Sequence, residues 1–80
     1  MKVKEALTCR IVELLKERNL TINALADEAG VPPSTIYSIF NQKSMNPGVV
    51  SIQKICDGLN ISIRSFFDSP LFENLDQEIE

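Results

Sequence analysis

Between Lys4 and Arg18, the apolar residues Leu7, Ile11, Leu14 and Leu15 recur every three or four positions among charged neighbours. This spacing sets them on one stripe of a 3.6-residue helix and predicts a first helix over the span. Asn19-Leu20-Thr21 breaks the pattern, and the Thr21 hydroxyl can accept a hydrogen bond from the free amides of a helix starting at Ile22. That second helix is short, Ile22 to Ala29, with Leu25 and Ala26 inward and Gly30 where a left-handed stop would fall. Pro33 suits the first turn of a third helix because its missing amide hydrogen is not needed there, and Pro32 is held outside as the extended residue before a proline. The third helix is predicted from Pro33 to Phe40. It turns Ile36, Ile39 and, at the stripe's edge, Phe40 inward, and Ser34, Thr35, Tyr37, Ser38 and Asn41 partly or wholly outward.

Asn41 to Gly48 is a loop by composition. A fourth helix begins near Val49 with Ile52, Ile55, Cys56 and Leu59 on one side, and Asn60 tolerates the left-handed turn that would end it. Ser62 caps a fifth helix through Phe67, which packs through Ile63, Phe66 and Phe67. Ser69 and Pro70 repeat the cap-and-start chemistry, and Leu71, Phe72, Leu75 and Ile79 stand at the spacing of a short sixth helix. The expected fold is all-α: a compact five-helix bundle, residues 1–68, followed by an acidic amphipathic segment, residues 69–80, that serves packing or dimerisation.

Helices two and three, joined by Ala29-Gly30-Val31-Pro32, have the geometry of a helix-turn-helix, in which the second helix can enter a DNA major groove. Leu25, Ala26, Val31, Ile36 and Ile39 would supply the contacts between them. A plain bundle of short helices could carry the same pattern, and charge bears on the choice. The chain has a net charge of −3 and a pI near 4.8, so no polybasic arm can anchor it to nucleic acid or membrane. Yet residues 29 to 56 hold no acid in 28 positions, where an even spread would place about four. With Lys43 and Lys54 that span is +2, while residues 57 to 80 carry six acids against Arg64. A surface that meets phosphates must above all avoid carboxylates.

The amides at the starts of helices two and four can hold a phosphate without a basic side chain. Thr21 and Asn23 flank the first start; Ser44, Asn46 and Gly48 flank the second, and Lys43 is the best single phosphate candidate. Enzymatic readings fare poorly. With no histidine, a Ser-His-Asp triad and a His-ligated metal are excluded, and no catalytic residue, metal, cofactor or small-molecule ligand is implied. Cys9 and Cys56 are too few for a disulfide framework and lack metal-ligand spacing, so both are read as buried core thiols in a reducing compartment. No apolar run is long enough to cross a bilayer, and a soluble, cytoplasmic protein with no membrane partner is expected.

The stretch Leu20 to Ile39, LTINALADEAGVPPSTIYSI, continued by Asn41 and Asn46-Pro47, resembles the DNA-binding domain of bacterial and phage regulators of the Cro and lambda-repressor type. Val50 to Phe67 is similar to the fourth and fifth helices of that family, so the resemblance covers about residues 5 to 67. It implies binding to double-stranded operator DNA, usually by a homodimer, with helix three in the major groove. Carried over position by position, it puts base-facing roles on Pro33, Ser34 and Ser38, with Thr35 and Tyr37 nearby, and phosphate contacts on Thr21, Asn23, Asn41, Lys43 and Asn46. Two departures stand out. Many relatives have glutamine where this chain has Ile22, and a serine or threonine cap where it has Pro32.

The reading face is short of strong readers. Arginine to guanine and asparagine or glutamine to adenine are the two-pronged pairs, worth roughly 1–3 kcal/mol each, and only Asn41 near the helix end belongs to that set. Pro33 and the Tyr37 ring can instead pack on a thymine methyl. Specificity is therefore expected to need two domains about 34 Å apart together with DNA shape. The segment 70–80 could fold back on its own domain, pack against a second copy or take a protein partner. The rival function is a protein-interaction module of the same fold, an adaptor or antitoxin-like domain with weak or no DNA specificity of its own.

Overall fold

The computed structural model describes residues 1–41 and 46–79, along which five α-helices follow one another: α1 (Val3–Arg18), α2 (Ile22–Ala29), α3 (Pro33–Phe40), α4 (Val49–Leu59) and α5 (Ile63–Phe67). A single 3-10 turn, Pro70–Phe72, comes last.

Three of the links use one three-residue device: Asn19-Leu20-Thr21, Gly30-Val31-Pro32 and Asn60-Ile61-Ser62. The first residue of each is left-handed, with φ of 54°, 70° and 57°. The amide of the second donates to the carbonyl five residues back, Leu20 to Leu15 at 2.9 Å, Val31 to Ala26 at 3.1 Å and Ile61 to Cys56 at 3.0 Å. This closure satisfies carbonyls that a helix end leaves open and swings the apolar second residue back onto the core. The third residue starts the next helix. Thr21 Oγ1 accepts from the Ala24 amide at 3.1 Å, and Ser62 Oγ accepts from the Ser65 amide at 3.0 Å. Pro32 has no side-chain cap to offer, so α3 begins on the fixed φ of Pro33 and on the Thr35 amide donating to the Pro32 carbonyl at 2.9 Å. The helix boundaries expected from these signals are the ones observed.

One core lies between the five helices. Ile11, Leu25, Ile36, Ile55, Leu59 and Phe66 are its largest fully buried aliphatic and aromatic side chains. α2 packs against both α3 and α4. The second contact is so close that a carbon added at Gly58 would stand 2.9 Å from the Ala29 amide nitrogen. α1 braces the rest with its cations. Arg10 Nε donates to the Phe66 carbonyl at 2.7 Å and Nη2 to the Ser65 carbonyl at 3.0 Å, Arg18 donates to the Leu59 carbonyl, and Lys4 Nζ to the Asn41 carbonyl at 2.9 Å. Each cation thus sits at the negative end of α5, α4 or α3, where a positive charge is favourable.

One expectation needs correction. Cys9 is exposed, and only Cys56 is buried. Cys9 stands two residues from Leu7, some 200° around the helix, and so points away from the buried stripe. Burial pushes the Cys56 thiol up, with the neighbouring Asp57 carboxylate adding to the effect, which keeps it protonated. The expected short sixth helix is present as the 3-10 turn Pro70–Phe72; it does not extend to Ile79, because Asn74 takes a left-handed φ of 58°. Phe72 packs on the core, whereas Ile79 is exposed. No helix among the described residues is long and apolar enough to cross a membrane.

Candidate nucleic-acid interface

The eight residues of α3 divide sharply. Ile36 and Ile39 are buried against the core, and Phe40 is half-buried beside them. Pro33, Ser34, Tyr37 and Ser38 are exposed and Thr35 is half-buried, so the outward stripe is the polar, uncharged one expected. Tyr37 keeps 53% of its surface accessible. Pro32 and Pro33 lead into this stripe with few backbone donors, leaving its entry smooth rather than hydrogen-bonding.

Ser38 carries a geometric refinement. Its hydroxyl donates to the Thr35 carbonyl at 2.7 Å, so the proton is turned inward and the lone pairs face out. In this state Ser38 accepts hydrogen bonds. A major-groove partner for an acceptor is a base amino group, N4 of cytosine or N6 of adenine.

Around α3 lie the candidate phosphate contacts. Thr21 is exposed at the start of α2, where its oxygen accepts from Ala24 and its hydroxyl hydrogen remains to donate; Asn23 is exposed on the same turn. Asn41 is exposed at the end of α3, and Asn46 and Gly48 are exposed ahead of α4, which starts without a side-chain cap. Lys43 and Ser44 lie outside the described residues. The acids of α2, Asp27 and Glu28, sit in its last turn, about 9 Å along the helix from Thr21.

The fold adds residues that linear reading missed. Lys4, 37 positions away from Asn41, is carried by α1 to the end of α3 and brings a positive charge to a region whose own segment has none nearer than the loop. No linear signal could have found it, since the pairing depends on how α1 packs. Val49 and Val50 project from the first turn of α4 at 67% and 66% exposure, apolar residues within the acid-free span of the chain. The acidic tail runs to the start of α1 and leaves the α3 stripe uncovered. The Asp76 amide donates to the Met1 carbonyl at 3.0 Å and its carboxylate lies 3.2 Å from the Met1 ammonium, while Ser34, Tyr37 and Ser38 stay open.

A family model described as helix-turn-helix matches residues 11–66, from the middle of α1 through the buried Phe66 of α5. The chain belongs to the helix-turn-helix family. This helix-turn-helix protein is 30% identical over 59 residues to the HTH-type transcriptional regulator SinR of Bacillus subtilis (strain 168), a match covering 74% of this chain and 53% of that one. It therefore spans about half the length of that curated relative. It also superimposes on the crystal structure of prophage Lp1 protein 11 with a TM-score of 0.78 and 39% identity, over 88% of this chain and 93% of the other. Both likenesses agree with the Cro and repressor-type resemblance carried by residues 20–39. Among the described residues, no group of three or more His, Cys, Asp or Glu side chains could hold a metal ion.

Proposed function

We propose that this protein binds double-stranded DNA sequence-specifically as a small transcriptional regulator, with α3 lying in the major groove. The observation that carries the reading is the outward stripe of α3, exposed and uncharged, at the head of a 28-residue span free of acids. Membership of the helix-turn-helix family and the likeness to a transcriptional regulator support it. Pro33, Ser34, Thr35, Tyr37 and Ser38 face the bases. Thr21, Asn23, Asn41, Asn46 and Gly48, joined by Lys43 and Ser44 of the loop, meet the backbone phosphates on either side.

The protein acts as a homodimer, because one stripe of serine, threonine and tyrosine cannot make the two-pronged contacts that give a single domain high specificity. Titration of the protein against a duplex at rising salt tests the reading. Affinity should fall log-linearly, with a slope near 0.9 per neutralised phosphate, and Lys43→Ala should lower that slope by about one. Binding that is absent, or indifferent to salt, would leave the protein-interaction module as the better account.

A further inference from the structure

The exposed residues of α3 fall into two rows. Pro33 and Tyr37 stand four positions apart, as do Ser34 and Ser38, so the members of each pair share a face one helical turn, about 6 Å, apart along the axis. One row is made of rings and the other of hydroxyls, and all four side chains are exposed. Neither row carries a charge or an amide side chain.

The rows differ in what they can pair with. In the major groove an A·T pair presents the N7 acceptor and N6 amino donor of adenine beside the O4 acceptor and C5 methyl of thymine; a G·C pair presents the guanine acceptors N7 and O6 and the N4 amino group of cytosine, and no methyl. Guanine is read best by the two-pronged donor of an arginine or lysine, which the stripe lacks. The backbone adds few donors at the entry, since Pro32 and Pro33 have no amide hydrogen and the Thr35 amide is bonded to the Pro32 carbonyl at 2.9 Å. Nor does Ser38 supply one, because its hydroxyl hydrogen points to the Thr35 carbonyl. What Ser38 offers outward is an acceptor for an amino group, and the ring row decides which. A ring laid over the edges of guanine and cytosine leaves polar groups without partners, at a cost in free energy. Over thymine it buries a methyl, which is favourable. That methyl and the adenine N6 amino group belong to the same base pair.

We infer that α3 reads A·T base pairs: Pro33 and the Tyr37 ring pack on thymine C5 methyl groups, Ser38 accepts from the N6 amino group of an adenine, and G·C pairs are disfavoured beneath both rows. The inference rests on the DNA-binding reading and adds to it the class of half-site. Pro33 suits its part because its closed ring, at the first position of α3, is held in one orientation and loses little freedom on contact. Tyr37 has 53% of its surface accessible, enough for a base edge to cover. The Ser34 hydroxyl can donate or accept and so does not alter the choice.

Duplexes enriched from a random pool by the full chain, then remade with uracil in place of single thymines, test it. Uracil pairs with adenine as thymine does and lacks the C5 methyl. At one thymine or more the exchange should weaken binding of the parent about fourfold, the effect of one buried carbon, and that of Tyr37→Ala by less than about 1.5-fold. A change of DNA shape would act on both proteins alike, so the comparison isolates the contact. Tyr37 is exposed, so the variant keeps its fold, which circular dichroism verifies. The base pair whose preference Ser38→Ala relaxes should be A·T. Uracil exchange without effect at every thymine, exchange that weakens the parent and Tyr37→Ala equally throughout, or a G·C pair at the Ser38 position would overturn the inference. Each of these leaves the proposed function standing, since a duplex is still selected and bound; a pool without enrichment overturns the proposed function, and this inference with it.

Discussion

A side-chain carbon at position 58 would sit 2.9 Å from the Ala29 amide nitrogen and 3.0 Å from its α-carbon, distances that backbone cannot relieve by rotating a side chain. Gly58→Ala should therefore destabilise the fold by about 1–3 kcal/mol, although alanine is intrinsically the better helix former by about 0.8–1 kcal/mol. Urea denaturation reads the sign directly, and a stabilised variant would mean that α2 and α4 are not in close contact. On the α3 stripe proposed to face the bases, Ser38→Ala removes an outward acceptor and should flatten the preference at one base pair by about 0.5–1.5 kcal/mol, with the melting temperature nearly unchanged. The thiols divide in the same way. Cys9 should react with a thiol reagent in the native protein, and Cys56, buried and kept protonated, only on unfolding. Residue-level reading of the sequence found the outward stripe of α3 because helical spacing alone decides it. It misjudged Cys9 because a compositional habit, that free cysteines are buried, was given more weight than the angle between Cys9 and Leu7.

The helix ends were legible for a local reason. Asn19, Gly30 and Asn60 stop their helices, and Thr21 and Ser62 start the next ones, by bonds that span at most five residues. Thr21→Ala should accordingly cost about 1 kcal/mol of stability. What α1 does for the other helices was not legible. Arg18 reaches the Leu59 carbonyl across 41 positions and Arg10 the end of α5 across 55 and 56, pairings that exist only once the bundle has formed. Arg18→Met, which keeps the apolar stem and removes the donor, should lose about 0.5–1.5 kcal/mol, measured by thermal unfolding. The C-terminal segment shows the limit of periodicity. Leu71, Phe72, Leu75 and Ile79 have helical spacing, but few residues are available to bury them, and Asn74 turns the chain towards Met1 instead.

For the molecule as a whole, charge segregation is the organising feature. Acids crowd the last third of the chain, whereas α3 and the first turn of α4 carry none, and Lys4 meets the far end of α3. An overall charge of −3 then coexists with a local surface on which phosphates meet little repulsion. The central claim is that this surface reads DNA through α3. Selection from a pool of random duplexes, carried out in parallel with the parent chain and with Ser38→Ala, tests it most directly. The account predicts an enriched motif of two half-sites about 10–10.5 base pairs apart, altered by Ser38→Ala at one position in each half. A pool that shows no enrichment, or a motif that Ser38→Ala leaves unchanged, would contradict it.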